Sequence, residues 1–156
     1  MHYEIWTDGS CLDNNPKGGP GGFAFVALYG DLQYEYARGY RKTTNNRMEI
    51  MAVLEALDQL QEPTVVKIYT DSQYTIDAIT KWVYGWLRND WKTRNDDDVK
   101  NKDLFQKLYA LVRFHKVEFI KVKAHIGVPL NERCDVLAKA AARAPTEDDV
   151  GFIPKL

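Results

Sequence analysis

Tyr3-Glu4-Ile5-Trp6-Thr7-Asp8-Gly9-Ser10 is the stretch that decides the fold, because it predicts a buried strand that ends in a carboxylate. Tyrosine, isoleucine, tryptophan and threonine favour strands, and Gly9 relaxes the backbone beside the acid. A second stretch repeats the pattern, Val65-Val66-Lys67-Ile68-Tyr69-Thr70-Asp71-Ser72. If the two strands lie parallel and adjacent, Asp8 and Asp71 become neighbours at one sheet edge, where α/β proteins form their sites. Two like charges there are costly without a cation, so the pattern predicts a divalent-metal site.

Length and composition indicate one domain of ordinary size. The chain has 156 residues, is 45% hydrophobic and 28% charged, and carries a net charge of −1, so an argument for a nucleic-acid partner must be local. Cys11 and Cys134 lack metal-type spacing, and we expect reduced thiols in a cytoplasmic protein. We also expect no signal peptide after Met1 and no membrane contact, because no apolar run approaches about 20 residues.

An antiparallel meander is predicted after the first strand. Residues 23–29 and 32–40 have the composition of strands, and Gly30-Asp31 between them is a hairpin signal. We expect the glycines of 18–22 to form a turn rather than a phosphate loop, because no Gly-Lys-Ser/Thr follows and the next segment is a strand.

A helical crossover is predicted between the meander and the second acidic strand. The helix spans 49–61, after capping residues at 43–46 and before Pro63. This places Glu49 in about the first turn, where an acid also interacts favourably with the helix dipole. Such a crossover returns the chain parallel to its first strand.

The second half of the chain predicts further helices around a third buried strand. The elements are a helix interrupted at Gly85, an amphipathic helix, the strand and a last helix that carries Asp135: 72–91, 103–114, 117–122 and 131–143. Tryptophans and basic residues alternate in the first of these helices, a combination that can hold a nucleic-acid backbone. For Trp82 and Trp86, four residues apart, packing in a small helical core is the favoured interpretation.

Four motifs stand in this order along the chain: Thr7-Asp8-Gly9-Ser10-Cys11, Thr44-Asn45-Asn46-Arg47-Met48-Glu49, Thr70-Asp71-Ser72-Gln73-Tyr74, and His125 followed by Asn131-Glu132-Arg133-Cys134-Asp135. They resemble those of the bacterial type 1 ribonuclease H (ribonuclease HI) family. Each motif alone is weak to moderate, but together and in this order they are highly specific. The resemblance implies a ribonuclease H-like α/β fold: a five-stranded mixed sheet, an antiparallel meander followed by parallel strands, with helices on both faces. We therefore expect a single domain over 1–143. Pro145, Gly151 and Pro154 predict an irregular tail over 144–156.

The resemblance also implies a catalytic and metal-binding set. Asp8, Glu49, Asp71 and Asp135 would hold two divalent ions, normally Mg²⁺ with Mn²⁺ as a substitute, and His125 would help to move a proton or release product. Two ions about 3.5–4 Å apart can clamp the attacking and leaving oxygens of a phosphodiester. The implied enzyme is a metal-dependent endoribonuclease that hydrolyses the RNA strand of RNA/DNA hybrids, leaving 5′-phosphate and 3′-hydroxyl ends.

Contacts with the hybrid are implied at a further set of residues. The amides of Asn15, Asn45 and Gln73 would bond bases or sugars in the minor groove. Thr44 would contact a DNA phosphate. Trp82, Arg88 and Lys92 would hold the nucleic-acid backbone. The loop before Pro16 is one residue longer than the commonest family pattern, so Asn14 and Asn15 both stay candidates. Asn46 and Arg47 are expected to buttress the site. Many relatives are strongly basic where this chain has Leu87-Arg88-Asn89-Asp90, so we expect weaker hybrid binding and a shallower salt dependence.

Three alternative functions stay open at this point. A non-catalytic hybrid-binding module has no use for four convergent acids, and a transposase would need a further domain for DNA-site recognition. A serine hydrolase is disfavoured because Ser10 and Ser72 lie outside any Gly-x-Ser-x-Gly turn. We expect a monomer, since no self-association signal is present.

Overall fold

The structure, a computed structural model, describes residues 2–13, 15–123 and 128–154. One five-stranded mixed sheet forms its centre, in the order β3-β2-β1-β4-β5. The strands are β1 (Tyr3–Cys11), β2 (Gly19–Tyr29), β3 (Leu32–Thr43), β4 (Val65–Thr70) and β5 (Lys116–Lys121). The helices are α1 (Asn45–Asp58), α2 (Gln73–Asp77), α3 (Val83–Arg88), α4 (Lys102–Phe114) and α5 (Pro129–Arg143), with a π-helical segment (Ala78–Trp82) between α2 and α3.

The central strand is β1, which is paired along both edges. It runs antiparallel to β2, with Asp8 opposite Ala24, and parallel to β4, with Trp6 opposite Tyr69. On the far side, β4 pairs in parallel with β5. Because parallel strands share their carboxyl ends, β1 and β4 both end at the same edge of the sheet. The predicted sheet, a meander followed by parallel strands, is confirmed.

Helices α1 and α5 cover opposite faces of the sheet. A Cβ atom on Gly21 would lie 3.1 Å from the Met48 side chain of α1, whereas one on Gly22 would lie 2.3 Å from the Ala138 backbone oxygen of α5. Successive residues of a strand face opposite sides, so the two helices lie on opposite sides. The turn predicted over 18–22 is therefore wrong for most of its length: Gly19 to Gly22 belong to β2, and a side chain at Gly21 or Gly22 would meet the helix packed on that face.

The larger hydrophobic core lies between one face of the sheet, α1 and α4. Its fully buried side chains come from the strands and from both helices: Ile5, Phe25, Ile50, Val53, Leu57, Val66, Ile68, Phe105 and Leu108. The opposite face is covered mainly by small residues of α5, including Ala138 and Ala142. No helix within the described ranges is long and apolar enough to cross a membrane.

Helix α1 begins four residues earlier than predicted. The Thr44 side-chain oxygen accepts a hydrogen bond from the Arg47 backbone N–H at 3.2 Å, so Thr44 is the N-cap and Asn45 the first helical residue. A strong cap outweighs the low helix propensity of asparagine. Glu49 consequently lies in the second turn rather than in the first, and the helix ends at Asp58, before Pro63.

The helical region after β4 is irregular, but at a different place from the one predicted. Gly85 lies inside α3, and a Cβ atom on it would meet nothing within 4 Å. The irregularity is the π-helical segment instead, which widens one turn between α2 and α3. A glycine in open space can therefore continue a helix, and the sequence pattern does not reveal the wide turn.

Candidate active site

Three carboxylates meet at the carboxyl ends of β1 and β4. Oxygens of Asp8, Glu49 and Asp71 lie within 4.8 Å of one another. Asp8 is part of β1, Asp71 follows β4 directly, and Glu49 comes from α1. Helix α1 approaches so closely because of Gly9, where a Cβ atom would lie 2.4 Å from the Glu49 backbone nitrogen. The neighbouring positions of Asp8 and Asp71, expected from two parallel strands, are present.

The fourth predicted acid lines the same cleft from α5 but stands apart from the other three. The Asp135 carboxylate accepts a salt bridge from Lys139, one helical turn away, at 3.0 Å. The cleft is open, measures about 520 Å³, and is also lined by Ser10, Asn45, Gln73 and Tyr74 among others. The structure thus brings all four acids to one cleft, with three of them in close contact.

The crowded carboxylates raise one another's pKa in the metal-free protein. Burial, and after it the charges of Asp71 and Asp135, raise the pKa of Asp8 to about 7. Hydrogen bonds with Glu49 and with the Gly9 N–H, which donates to Asp8 Oδ1 at 2.9 Å, oppose this rise. Burial and then the Asp8 charge raise the pKa of Glu49 well above its usual range. Burial also raises the pKa of Asp71, against the nearby Lys121 ammonium, which contacts the Asp71 backbone oxygen. A bound cation would relieve this accumulated cost.

The donor set fits a hard divalent cation. All three clustered residues offer carboxylate oxygens, the ligands that Mg²⁺ and Mn²⁺ prefer. Glu49 Oε2 is buried without a hydrogen-bond partner among the described residues. Buried acceptors are rarely left unpaired in native proteins, and a cation between the three side chains would satisfy this one.

Comparison with known proteins now decides the family. The model of the RNase H family matches residues 1–143. The chain belongs to the RNase H family. Ribonuclease H of Edwardsiella ictaluri is 49% identical over 151 residues, which cover 97% of this chain and 96% of the relative. Ribonuclease H of Actinobacillus pleuropneumoniae is 50% identical over 149 residues, covering 96% and 95%. Membership and these full-length relatives support a ribonuclease activity for the chain.

Solved RNase H structures share the fold. LC9-RNase H1, a type 1 RNase H with the type 2 active-site motif, superposes with a TM-score of 0.83 at 30% identity, covering 98% of this chain and 77% of its own. LC11-RNase H1, solved in complex with an RNA/DNA hybrid, superposes with a TM-score of 0.67 at 21% identity, covering 91% and 97%. At that identity the second likeness concerns the fold alone.

The hybrid-binding residues predicted from the RNase H motifs lie partly in the cleft. The Asn45 side-chain carbonyl accepts the Cys11 N–H at 2.5 Å, and its two amide N–H donors have no acceptor among the described residues. Gln73 is exposed at the start of α2, and its amide donates to Asp77 at 2.9 Å. Thr44 has its hydroxyl engaged as the α1 cap.

The remaining predicted contacts lie further from the acids. Trp82 is 42% exposed, and its ring centroid lies 5.9 Å from that of Tyr74. One part of the ring therefore packs against the protein and the other part is open to solvent. Arg88 is exposed on α3, whereas Lys92 donates to Asp98 at 2.8 Å. Asn15 is exposed and does not line the cleft; its side-chain oxygen accepts the Lys17 backbone N–H at 2.8 Å.

Two predicted residues lie outside the described part of the chain. They are His125, the proposed proton-transfer residue, and Asn14, the alternative to Asn15. Sequence reasoning also missed Lys121, whose position at the end of the strand beside β4 was the available signal. Tyr74 lines the cleft as well, and it stood in a quoted motif without an assigned role.

Proposed function

We propose that the chain is an endoribonuclease that hydrolyses the RNA strand of RNA/DNA hybrids with Mg²⁺, or Mn²⁺ in its place, at the acidic cleft. The observation that carries the proposal is the cluster of Asp8, Glu49 and Asp71, whose oxygens lie within 4.8 Å, in a chain of the RNase H family. The ribonuclease H names of full-length relatives support the same activity. A pure binding module would gain nothing from acids that raise one another's pKa beside a phosphate backbone.

The ions would be held by the three clustered carboxylates, with Asp135 across the cleft completing the set. Bound Mg²⁺ supplies an activated water and stabilises charge on the phosphate and on the leaving 3′-oxygen. The chain's own groups fix the geometry: the Gly9 N–H orients the Asp8 carboxylate, and the Lys121 ammonium holds the backbone at Asp71. The products would carry 5′-phosphate and 3′-hydroxyl ends.

Recognition of the hybrid would use hydrogen-bond donors beside the acids. The free amide N–H groups of Asn45 and the exposed Gln73 are suited to bases, sugars and the RNA 2′-hydroxyl in a shallow minor groove. Thr44, next to Asn45, would meet a phosphate, while Trp82 and Arg88 would follow the backbone. Asn15 and Lys92 complete the proposed contacts, and His125 is the proposed group for proton transfer or product release.

The test is cleavage of an RNA/DNA hybrid with labelled RNA, with and without Mg²⁺. We expect cleavage of the RNA strand in Mg²⁺, none in EDTA, and none by the Asp8→Asn variant. Asp58→Asn is the matched control, because Asp58 is exposed at the other end of the helix that carries Glu49. Binding without cleavage in Mg²⁺ or Mn²⁺ would instead establish the non-catalytic module, and duplex DNA cut as fast as the hybrid would indicate a general nuclease.

We also propose that the chain acts as a monomer in the cytoplasm. All four acids come from one chain, and both cysteines are free thiols. Free thiols are the ordinary state in a reducing compartment. Sedimentation of the protein at working concentration tests whether it is a monomer.

A further inference from the structure

The residues after the family match are packed against the catalytic domain. The family model ends at 143, yet the backbone N–H groups of Thr146 and Glu147 both donate to the Gly39 carbonyl, at 3.1 and 3.0 Å. In return, the Arg41 N–H donates to the Glu147 carbonyl at 2.9 Å. The tail therefore follows the last residues of β3 toward the point where α1 begins.

Asp149 of this tail forms a buried ion pair at the start of α1. The side chains of Asp149 and Arg47 are only 2% and 3% exposed. Arg47 Nε and Nη2 donate to the two carboxylate oxygens of Asp149 at 2.7 and 3.0 Å, and the Thr43 hydroxyl donates to Asp149 Oδ2 at 2.8 Å. Thr43 and Arg47 flank the N-cap Thr44, so one carboxylate fixes both sides of the cap. Paired N–H···O bonds from a planar guanidinium also define its orientation.

Arg47 is also connected by hydrogen bonds to Tyr74 of α2, which lines the cleft. Its Nη1 and Nη2 donate to the carboxylate of Asp103 at 2.9 and 2.7 Å, and Nη1 also donates to Asn101 Oδ1 at 3.3 Å. The Asn101 amide in turn donates to the Tyr74 hydroxyl at 3.1 Å, and Tyr74 lines the cleft. Hydrogen bonds thus run without a break from the tail to α1 and α2.

The tail backbone encloses this network. A Cβ atom on Gly151 would lie 2.0 Å from Asp103 Oδ2 and 2.8 Å from Arg47 Nη2, so the chain passes directly over both charged groups. Without the tail, Arg47 would keep one carboxylate partner and would be open to water. Its guanidinium could then turn away from the cap.

We infer that residues 146–152 are a functional part of the hybrid-cleaving domain, with Asp149 as a positioning residue. Through Arg47 and Thr43 it sets the first turn of α1, which presents Thr44 and Asn45 to the hybrid. The inference rests on the proposed function, and it assigns the tail to substrate binding rather than to the chemical step. Asp8 and Asp71 of the carboxylate cluster are held by β1 and β4, which the tail does not touch through the bonds described. Glu49 lies one turn further along α1, where the helix backbone packs directly against Gly9 of β1.

The experiment compares Asp149→Ala and Asp149→Asn with the control Asp148→Asn. Asp148 is the adjacent acid, but its side chain is 73% exposed and pairs with the exposed Arg41. KM and kcat for the hybrid are measured in saturating Mg²⁺, at a temperature well below the unfolding midpoint of each variant. For Asp149→Ala we expect KM to rise about fivefold or more with kcat within about twofold, because a small misplacement of binding groups weakens binding strongly. Asp149→Asn, which can still accept the Thr43 hydroxyl, should lose less, and Asp148→Asn should match the wild type.

Hybrid binding in Ca²⁺ without turnover separates this inference from the proposed function. If the wild type binds the hybrid but does not cut it, the proposed function fails, and the same three variants still test the tail through the dissociation constant. A folded Asp149→Ala protein with wild-type KM and hybrid affinity would overturn the inference, as would an equal loss in Asp148→Asn. If Asp149→Ala does not fold, Arg47→Lys, which keeps the charge but loses the paired bonds, must show the same rise in KM.

Discussion

Replacing Asp8 with asparagine is expected to abolish cleavage and to stabilise the metal-free protein. Asparagine has the same shape, and its oxygen can keep the Gly9 N–H bond of 2.9 Å. The substitution removes one negative charge from a cluster whose carboxylate oxygens lie within 4.8 Å, at a residue that is 5% exposed. It therefore weakens cation binding while relieving a cost of folding.

The magnitude follows from the electrostatics of the site. Burial, and after it the neighbouring acids, raise the pKa of Asp8 from 3.8 to about 7. One pKa unit corresponds to about 1.4 kcal/mol, so ionised Asp8 destabilises the metal-free fold by roughly 4 kcal/mol at about pH 8. The sign is destabilising because the folded pKa of an acid is raised: the penalty is absent below about pH 4, grows between about pH 4 and 7, and is complete above about pH 7. Asparagine carries none of it.

Urea unfolding in EDTA measures the difference. We expect Asp8→Asn to exceed the wild type by up to about 4 kcal/mol near pH 8 and by less than about half of that near pH 5. Mg²⁺ should stabilise the wild type and leave the variant nearly unchanged, because the proposed site would bind the ion tightly only with all its carboxylates. The control Asp58→Asn, at an exposed residue outside the cluster, should change the free energy of unfolding little. A gain that is absent, or equal at both pH values, would refute the electrostatic reasoning, and near-normal cleavage would refute the site.

Three further predictions concern packing and charge. Gly22→Ala should lower the free energy of unfolding by more than about 2 kcal/mol because its Cβ would lie 2.3 Å from a backbone oxygen of α5. Gly85→Ala is its control: a Cβ there would meet nothing within 4 Å, so the variant should be neutral or stabilised by up to about 1 kcal/mol. Urea unfolding measures both. Arg47→Met should cost about 3–5 kcal/mol in the same assay, because it leaves buried acid unpaired. Asp98→Asn should release Lys92, now 2.8 Å away, for a phosphate, and steepen the salt dependence of hybrid affinity by about one unit in a fluorescence-anisotropy series.

Two control variants separate the effects of Arg47 and Asp98 from those of a general loss of charge. Arg41→Met, at a side chain that is 55% exposed, should cost less than about 1 kcal/mol, so a loss equal to that of Arg47→Met would argue against the buried network. Asp97→Asn removes the same charge as Asp98→Asn without freeing Lys92, and should leave the salt slope unchanged. If Asp98→Asn also leaves it unchanged, Lys92 does not reach a phosphate.

The centre of the fold could be predicted from the sequence because its signals are local. Two apolar stretches that each end in Thr-Asp gave the parallel pair β1 and β4 and the neighbouring positions of Asp8 and Asp71. The glycine-rich stretch before residue 23 was wrongly predicted because these glycines are explained by tertiary packing. Helices pack closely on both faces of β2, and at Gly21 and Gly22 only a residue without a side chain fits beneath them. Local pattern alone predicts a turn there.

The outer parts of the candidate site were less accessible to sequence reasoning. An acid on a helix is commonplace, so only the family resemblance singled out Glu49 and Asp135. The pair of Arg47 and Asp149 joins residues 102 positions apart, and no local periodicity connects them. Pro145, Gly151 and Pro154 predict an irregular tail, but they do not predict where the tail packs, because its contacts depend on the finished sheet.

The central place of β1 also determines how the protein should lose activity on heating. A strand hydrogen-bonded along both edges exchanges its amide protons only when the whole domain opens, whereas edge strands such as β3 and β5 can open locally. Asp8 lies on that interior strand, opposite Ala24 of β2 and two residues beyond the last pair with β4. Fraying at the edges of the sheet should therefore leave Asp8, the proposed metal ligand, in place, and the loss of cleavage during heating would report the cooperative unfolding of the entire domain.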